Sequence, residues 1–477
     1  MSFGALAMAL VAASGPLTLD EAIEIAQVQA RDAVRAQNDV LIVDAQRLRA
    51  IGAVLPRVDL SLRGAGTHQD SIVVEAPLYL NCESSLRAEA CDDVPYFPPR
   101  EGFDQNAAVD EVRDQFILND LFLANFSAGI TVRQTIYDGG RWWTEIGRFE
   151  DLQRLRRATL QEVLNNVRLR VVQAFYGLER ALQSQERFEL RMRLGEKQLD
   201  SARALMEKGE ARAFDVASAE RNLAEDRLAF ARARFSASRS RRALNLALAR
   251  PARTDVAIVL PAHVSTSSAS APKLAVPTLD DALEAARRHR AALEIQRANV
   301  DQLMKFVDTR RAELFPELTV GGSYRKFSRR ADRVFTDPLN RNFYAGFDVT
   351  VRWNLYRGGI DEQLIQEAEL NVVKARADYA EVERQVMSEV EDRVENLELQ
   401  LQIYALALDS LRPATVAVES VRGRYKDGKA TLITLRDAEL KYTAAQVSAI
   451  NARLDVEIAR ELLRRAIGAD LVTGLDR

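Results

Sequence analysis

The stretch Tyr137-Asp138-Gly139-Gly140-Arg141-Trp142-Trp143 decides the fold, because its core returns as Tyr356-Arg357-Gly358-Gly359. A glycine pair lets extended chain bend into helix without a Cβ clash, so each copy reads as a strand-to-helix corner. The same corner made twice implies an internal repeat, and further landmarks recur in the same order. Leu17–Ala22 (LTLDEA) matches Pro277–Ala282 (PTLDDA) and Leu55-Pro56 matches Phe315-Pro316, both at an offset of 260 residues. The corner, and Glu207–Ala211 against Lys426–Ala430, are offset by 219, so the first copy holds 260 − 219 = 41 additional residues between Pro56 and Tyr137.

The chain therefore divides into residues 1–14, a first repeat over 15–250, a linker over 251–277, a second repeat over 278–468 and a tail over 469–477. Each repeat runs helix, strand, loop, strand, long helix, turn, helix. Residues 1–14 are apolar and end in small residues, as a secretory signal does. The basic leader of such a signal is missing, so the start reads as clipped. The two cysteines, Cys82 and Cys91, both fall in the 41-residue excess. In an exported loop that spacing predicts a disulfide.

Charged residues make up 28% of the 477, yet the net charge is only −3, and no basic excess points to nucleic acid. No run of 18 or more apolar residues predicts a membrane-crossing helix. Residues from Gly140 to Lys208 include no proline and read as one helix; Ala211–Arg250 follows as a second. The second copy repeats this over Gly359–Asp427 and Ala430–Ile467. There Val386, Val390, Val394, Leu397, Leu401, Tyr404, Leu408 and Leu411 step by four or three, a coiled-coil seam. Pro413 interrupts that helix and predicts a kink. At 1.5 Å per residue the long helices span about 100 Å. The opening helices, Thr18–Gly52 and Thr278–Arg311, are half as long, and each stacks with the last helix of its copy to match the long one.

Strands are predicted near 57–66, 124–137, 317–327 and 342–356. In Asn342–Tyr356, Phe343, Ala345, Phe347, Val349, Val351, Trp353 and Leu355 alternate with polar side chains; Val58, Leu60 and Leu62 alternate likewise with Arg57, Asp59, Ser61 and Arg63. A half-buried soluble sheet alternates too, but the length of about 10 residues, the long loops and the export signal favour an outer-membrane barrel. Trp142, Trp143 and Trp353 are all the tryptophans present, and they cluster with Tyr137 and Tyr356 at the corners. Amphipathic rings at such places predict a girdle at the membrane–water interface. Four strands are too few to enclose a channel, so three copies giving twelve strands are expected. The competing reading is a soluble periplasmic coiled-coil scaffold or adaptor, which leaves the alternating strands unexplained.

These residues together resemble the TolC-like outer-membrane efflux proteins. LTLDEAI at Leu17–Ile23, the paired corners and Arg424–Leu440 (RYKDGKATLITLRDAEL) carry the resemblance over nearly the whole chain. It implies an α+β membrane protein: a homotrimeric twelve-stranded barrel, four strands per protomer, in outer-membrane lipid and continuous with a periplasmic coiled-coil tunnel. It further implies partners, a periplasmic adaptor and an inner-membrane transporter, and conduction without chemistry of its own. By the same resemblance Gly209 and Gly428 sit at the helix-turn tips that close the tunnel and meet the adaptor. Tyr425 and Asp215 fall on the family's gate pair. Asp437 falls on one member of a pore aspartate pair, Thr434 replaces the other, and Ala430 replaces a gate arginine.

Enzyme readings fail on the residues. Gly423–Ala430 approaches a phosphate loop, but Ala430 stands where a hydroxyl must hold Mg²⁺, and the segment joins two helices. His68, His263 and His289 have no metal-ligand spacing. No metal, cofactor or nucleophile is expected.

Overall fold

The computed structural model describes residues 16–75, 115–209, 212–260 and 276–469. The signal segment, Cys82 and Cys91, most of the Ser-rich linker and the tail lie outside the described residues. The chain forms two compact units. One comprises Met1–Gly52, Gly140–Leu314 and Tyr356–Arg477; the other comprises Ala53–Gly139 and Phe315–Leu355.

The first unit is helical. Its elements are α1 (Leu19–Gln29), α2 (Arg31–Gly52), α3 (Arg141–Glu207), α4 (Ala213–Ala247), α5 (Leu279–His289), α6 (Ala291–Ala312), α8 (Ile360–Lys426) and α9 (Leu432–Ile467). The second unit holds β1 (Arg57–Glu75), β2 (Gln115–Tyr137), β3 (Glu317–Ser328), the short α7 (Arg333–Thr336) and β4 (Phe343–Arg352). Helices α3 and α8 each run for 67 residues and start 219 apart, so the repeat holds at the level of single residues. Pro413 lies inside α8, which continues through it to Lys426.

Repeat one is held by an apolar cluster that includes Val167, Val171, Phe175 and Leu178 of α3, Leu244 of α4 and Ile23 of α1. Repeat two has its own cluster, with Leu293, Val390, Val394, Leu397, Val456 and Leu463. The seam read from the sequence is its spine: Val386, Val390, Val394, Leu397 and Tyr404 are buried, and Leu401, Leu408 and Leu411 pack against them. Helix α3 packs on α4, α9 on α3, and α8 on α9, giving a row α4–α3–α9–α8. Towards the other end α2 packs on α3, and α6 packs on both α3 and α8. The paired short helices thus complete the wall beside the long ones, as their lengths predict.

The expected single opening helix is in fact two. Ala30 breaks the first (φ −61, ψ 131) and Arg290 breaks the second (φ −71, ψ 115), again 260 residues apart. Neither break has a glycine or proline. Helices α1 and α5 are capped at their starts, where Thr18 and Thr278 accept from the backbone N–H groups of Glu21 and Asp281, and the break that ends each is buried.

The sheet has strand order β1-β2-β3-β4, antiparallel throughout. Its register places apolar side chains in rows: Leu60, Ile130, Tyr324 and Ala345 align, as do Val58, Val132, Gly322 and Phe347. The intervening row Asp59, Thr131, Ser323 and Gly346 falls on the opposite face. Two boundaries differ from expectation. β1 and β2 extend to Glu75 and from Gln115, so part of the 41-residue excess is paired strand instead of loop. β4 ends at Arg352 instead of Tyr356, because its partner β3 begins at Glu317, directly after Pro316, which has no N–H to donate.

Candidate functional site

Both kinds of turn expected at glycines, the paired corners and the single-glycine tips, adopt the conformation that needs glycine. Gly139, Gly140, Gly358 and Gly359 have φ of 72, 88, 66 and 78, and Gly140 and Gly359 are the N-caps of α3 and α8. At the far end of the hairpins Gly209 (φ 77) and Gly428 (φ 71) make matching turns, accepting the chain from α3 and α8. Their N–H groups donate to the carbonyls of Met206 (2.9 Å) and Tyr425 (3.0 Å), which would otherwise be orphaned helix-end acceptors. Of the aromatic residues, Trp143 is 71% exposed and Tyr356 82%, both in the helical unit; Trp353, in the sheet unit, is 57% exposed. Trp142 is half-buried.

The tip brings Asp215 and Tyr425 into electrostatic reach. Burial raises the Tyr425 phenol pKa, and the negative charges of Asp215 and then Glu439 raise it further. The hydrogen bond of the Asp215 carboxylate is local, however: Oδ2 accepts from the Arg212 backbone N–H at 3.0 Å and closes the start of α4. At its repeat equivalent, Thr434, the roles are reversed: the Thr431 side chain caps α9 by accepting from the Thr434 backbone N–H at 3.2 Å. Asp437 is exposed on α9 and paired with Lys441 at 2.8 Å, one turn on.

Sequence reasoning missed the strongest polar contact near the tips. Asp226 of α4 is fully buried. It accepts from Arg191 Nε of α3 at 2.6 Å and from Arg436 Nη1 of α9 at 2.8 Å, with a second, shorter bond from Arg436 Nη2. Gly195 makes room for it: a Cβ there would stand 3.0 Å from Asp226 Oδ2. The signal was available, since Ala219, Leu223, Asp226 and Ala233 all lie on the buried stripe of α4 and one of them is a carboxylate.

That triad begins a polar seam between the repeats. Along α3 and α9, Gln198 donates to Glu439 (2.9 Å), Arg180 pairs with Asp455, and Arg168 pairs with Glu461 (2.9 Å). It ends in a balanced network of two arginines and two glutamates. Arg290, at the α5–α6 break, reaches Glu162 (3.4 Å) and Glu389 (3.2 Å), while Arg465 reaches the same two at 3.1 and 2.8 Å. Burial lowers the Arg290 pKa, opposed by the two carboxylates. A cavity of about 640 Å³ between α3, α6 and α8 is lined by charges that pair with one another, including Arg154 with Asp301 (3.1 Å) and Arg311 with Glu369 (2.6 Å). Among the described residues no group of three or more His, Cys, Asp or Glu could hold a metal, and no helix is long and apolar enough to cross a membrane.

Comparison with known proteins agrees with this architecture. Residues 282–469 match the family of outer membrane efflux proteins. Among solved structures, the open-state MtrE outer membrane channel of Neisseria gonorrhoeae superposes with a TM-score of 0.70 at 16% identity, covering 95% of this chain and 89% of that one. The CmeC outer membrane channel of Campylobacter jejuni gives 0.69 at 14% identity, covering 94% and 85%. The outer membrane protein VceC of Vibrio cholerae gives 0.67 at 15%, covering 94% and 96%. No curated protein matches by sequence. The second repeat thus matches the outer membrane efflux protein family, and the whole chain shares the fold of these channels.

Proposed function

We propose that this chain is the outer-membrane exit duct of an efflux or type I secretion system, three copies closing one barrel and one helical tunnel. The observation that carries the reading is the sheet. Its apolar rows are exposed, with Leu60 71% and Phe347 74% open, and its outer strands β1 and β4 each have an unpaired edge. In lipid an apolar face is favoured and an open edge is not, because every backbone donor and acceptor needs a partner. Closure with two further copies satisfies both conditions and gives twelve strands. A soluble scaffold would leave this face in water.

The exposed Trp143, Trp353 and Tyr356 then mark the inner membrane interface, and the Gly209 and Gly428 turns are the ends that meet a periplasmic adaptor, itself joined to an inner-membrane transporter. Conduction is passive, without a catalytic residue or cofactor. Tyr425 and Asp215 act at the gate, where the phenol can donate to the carboxylate across the two repeats. Three copies of Asp437 form an acidic ring at the constriction, each moderated by Lys441. Detergent extraction tests the duct: a trimer of about 160 kDa of polypeptide, three times the 53.3 kDa chain, that forms ion-conducting pores in planar bilayers is expected. A water-soluble protein that forms no pores would end the proposal.

A further inference from the structure

In a chain of net charge −3, residues 325–341 hold six arginines and lysines against two aspartates. They span the hairpin that joins β3 to β4. The chain leaves and enters the sheet unit beside the paired ends Glu317 and Arg352, so this hairpin lies at the sheet's other end. Its backbone is tied down on one face of the sheet. Lys326 Nζ donates to the Asp337 carbonyl at 2.6 Å, and the Tyr324 hydroxyl donates to the carbonyl of Leu339. Tyr324 belongs to the apolar row with Leu60 and Ile130, and Lys326, two residues on, shares its face. The short helix α7 packs on β2 and β3, and Val334 is buried.

The hairpin therefore folds back over the apolar face, yet it presents apolar side chains of its own. Phe335 is 71% exposed and Leu339 74%. In the same segment Arg329, Arg333 and Arg341 are exposed and make no ion pair among the described residues; Arg330 pairs with Asp332 at 3.1 Å. Internal bonds hold the segment in shape: Thr336 Oγ1 donates to the Asp332 carbonyl at 3.1 Å, and the Arg341 N–H donates to that of Pro338 at 3.0 Å. Both strands under α7 already have two neighbours, so joining the open edges of β1 and β4 to further copies leaves this segment exposed.

We propose that the β3–β4 hairpin is a docking site for a phosphate-bearing glycolipid of the outer leaflet. Phe335 and Leu339 enter its acyl region, and Arg329, Arg333 and Arg341 take its phosphates. Arginine forks match phosphate oxygens in pairs, and a basic cluster bordering a lipid-facing apolar surface selects anionic headgroups. Free phosphate would leave the two apolar side chains in water, and a protein partner would have to reach a face turned to lipid. This rests on the duct reading, which puts the apolar sheet face in the membrane and the hairpin at its outer side. Three copies give three such sites around one barrel.

The test uses the full-length trimer in detergent, titrated with bisphosphorylated lipid A, with the same lipid stripped of its phosphates, and with inorganic phosphate. Lipid A should bind at least tenfold more tightly than the stripped lipid, and inorganic phosphate should not bind. Arg329→Gln, Arg333→Gln and Arg341→Gln together should weaken lipid A binding at least tenfold, whereas Arg330→Gln, whose charge Asp332 already offsets, should change it less than threefold. Equal binding of lipid A and its stripped form by the unaltered protein overturns the site whether or not the triple variant folds. So does full binding by a trimeric triple variant. A photoreactive side chain replacing Phe335 in intact cells should cross-link to glycolipid; a cross-link to a protein overturns the proposal. Pores in planar bilayers without lipid A binding overturn the site and leave the duct standing, and a soluble protein that forms no pores overturns both.

Discussion

Replacing Asp226 with Asn removes a charge and almost no volume, and it isolates what the buried triad does. At an effective dielectric of about 20, each arginine attracts the carboxylate by about 6 kcal/mol at these contact distances. Desolvation of three charges cancels most of that gain, so the intact triad stabilises little relative to an apolar core. Breaking it is another matter. The Arg436 side chain is 8% exposed and the Arg191 side chain 17%, so water compensates Arg436 little and Arg191 only in part when the partner is lost. An orphaned buried charge costs about 3–5 kcal/mol. Because Arg436 belongs to α9 and Asp226 to α4, the loss falls on the contact between the two hairpins. If opening separates them, a 3 kcal/mol loss shifts the opening equilibrium by on the order of 100-fold. Asp226→Asn should therefore raise open probability in planar bilayers, with faster proteolysis near the tips. Adding Arg436→Met, which removes one orphaned charge, should recover a large part of the closed state. Equal open probability in wild type and Asp226→Asn would refute the reasoning, as would a double variant worse than the sum of its parts.

Tyr425→Phe combined with Asp215→Asn, which keeps the α4 cap, should raise conductance without loss of thermal stability; unchanged conductance rejects the gate pair. The Tyr425 phenol, normally ionising near pH 10 and here raised, keeps its proton from pH 6 to 9, so conductance controlled by it should be flat there. Asp437→Ala should weaken block by multivalent cations from the periplasmic side and Lys441→Ala should strengthen it, measured as the half-blocking concentration. Thiol labelling of intact cells should reach Cys82 and Cys91 only after reductant; labelling without it means that no bridge forms. Gly195→Ala should mimic Asp226→Asn in part, since its Cβ would press on the carboxylate; a variant indistinguishable from wild type in proteolysis would show that the triad yields freely.

How far these features could be read in advance depends on where their causes lie. The helices, their ends and the repeat offsets were legible because their causes are local: periodic apolar residues, capping threonines, and glycines where φ must be positive. The breaks at Ala30 and Arg290 were not, because both residues are compatible with helix and the bend is imposed by what packs on it. The Arg290 break is filled by a charged network that the first repeat does not copy; its counterpart Ala30 joins an apolar cluster. The long β1–β2 hairpin was hidden for a related reason. Residues beyond Phe126 towards Gln115 pair with β1 alone, since β3 has ended at Ser328, and a two-stranded extension need not bury one face. Asp226 was readable in principle as a carboxylate on an apolar stripe, but its two arginines come from helices 35 and 210 residues away.

The same reasoning explains why the two repeats, though superposable in outline, differ in charge. Duplicated halves that were identical would each present the same outer face, and arginine would oppose arginine wherever copies met. Here the second half of α4 is basic and α8 is acidic between Glu391 and Asp409, while the contact between the repeats inside the protomer combines α9 apolar residues such as Leu454 with a ladder of partnered charges. Partnered charges along α3 and α9 contribute little net stability per pair but impose one register, because sliding by a turn would leave each buried member unpaired. That register suits the proposed duct, whose tips would have to open without unfolding.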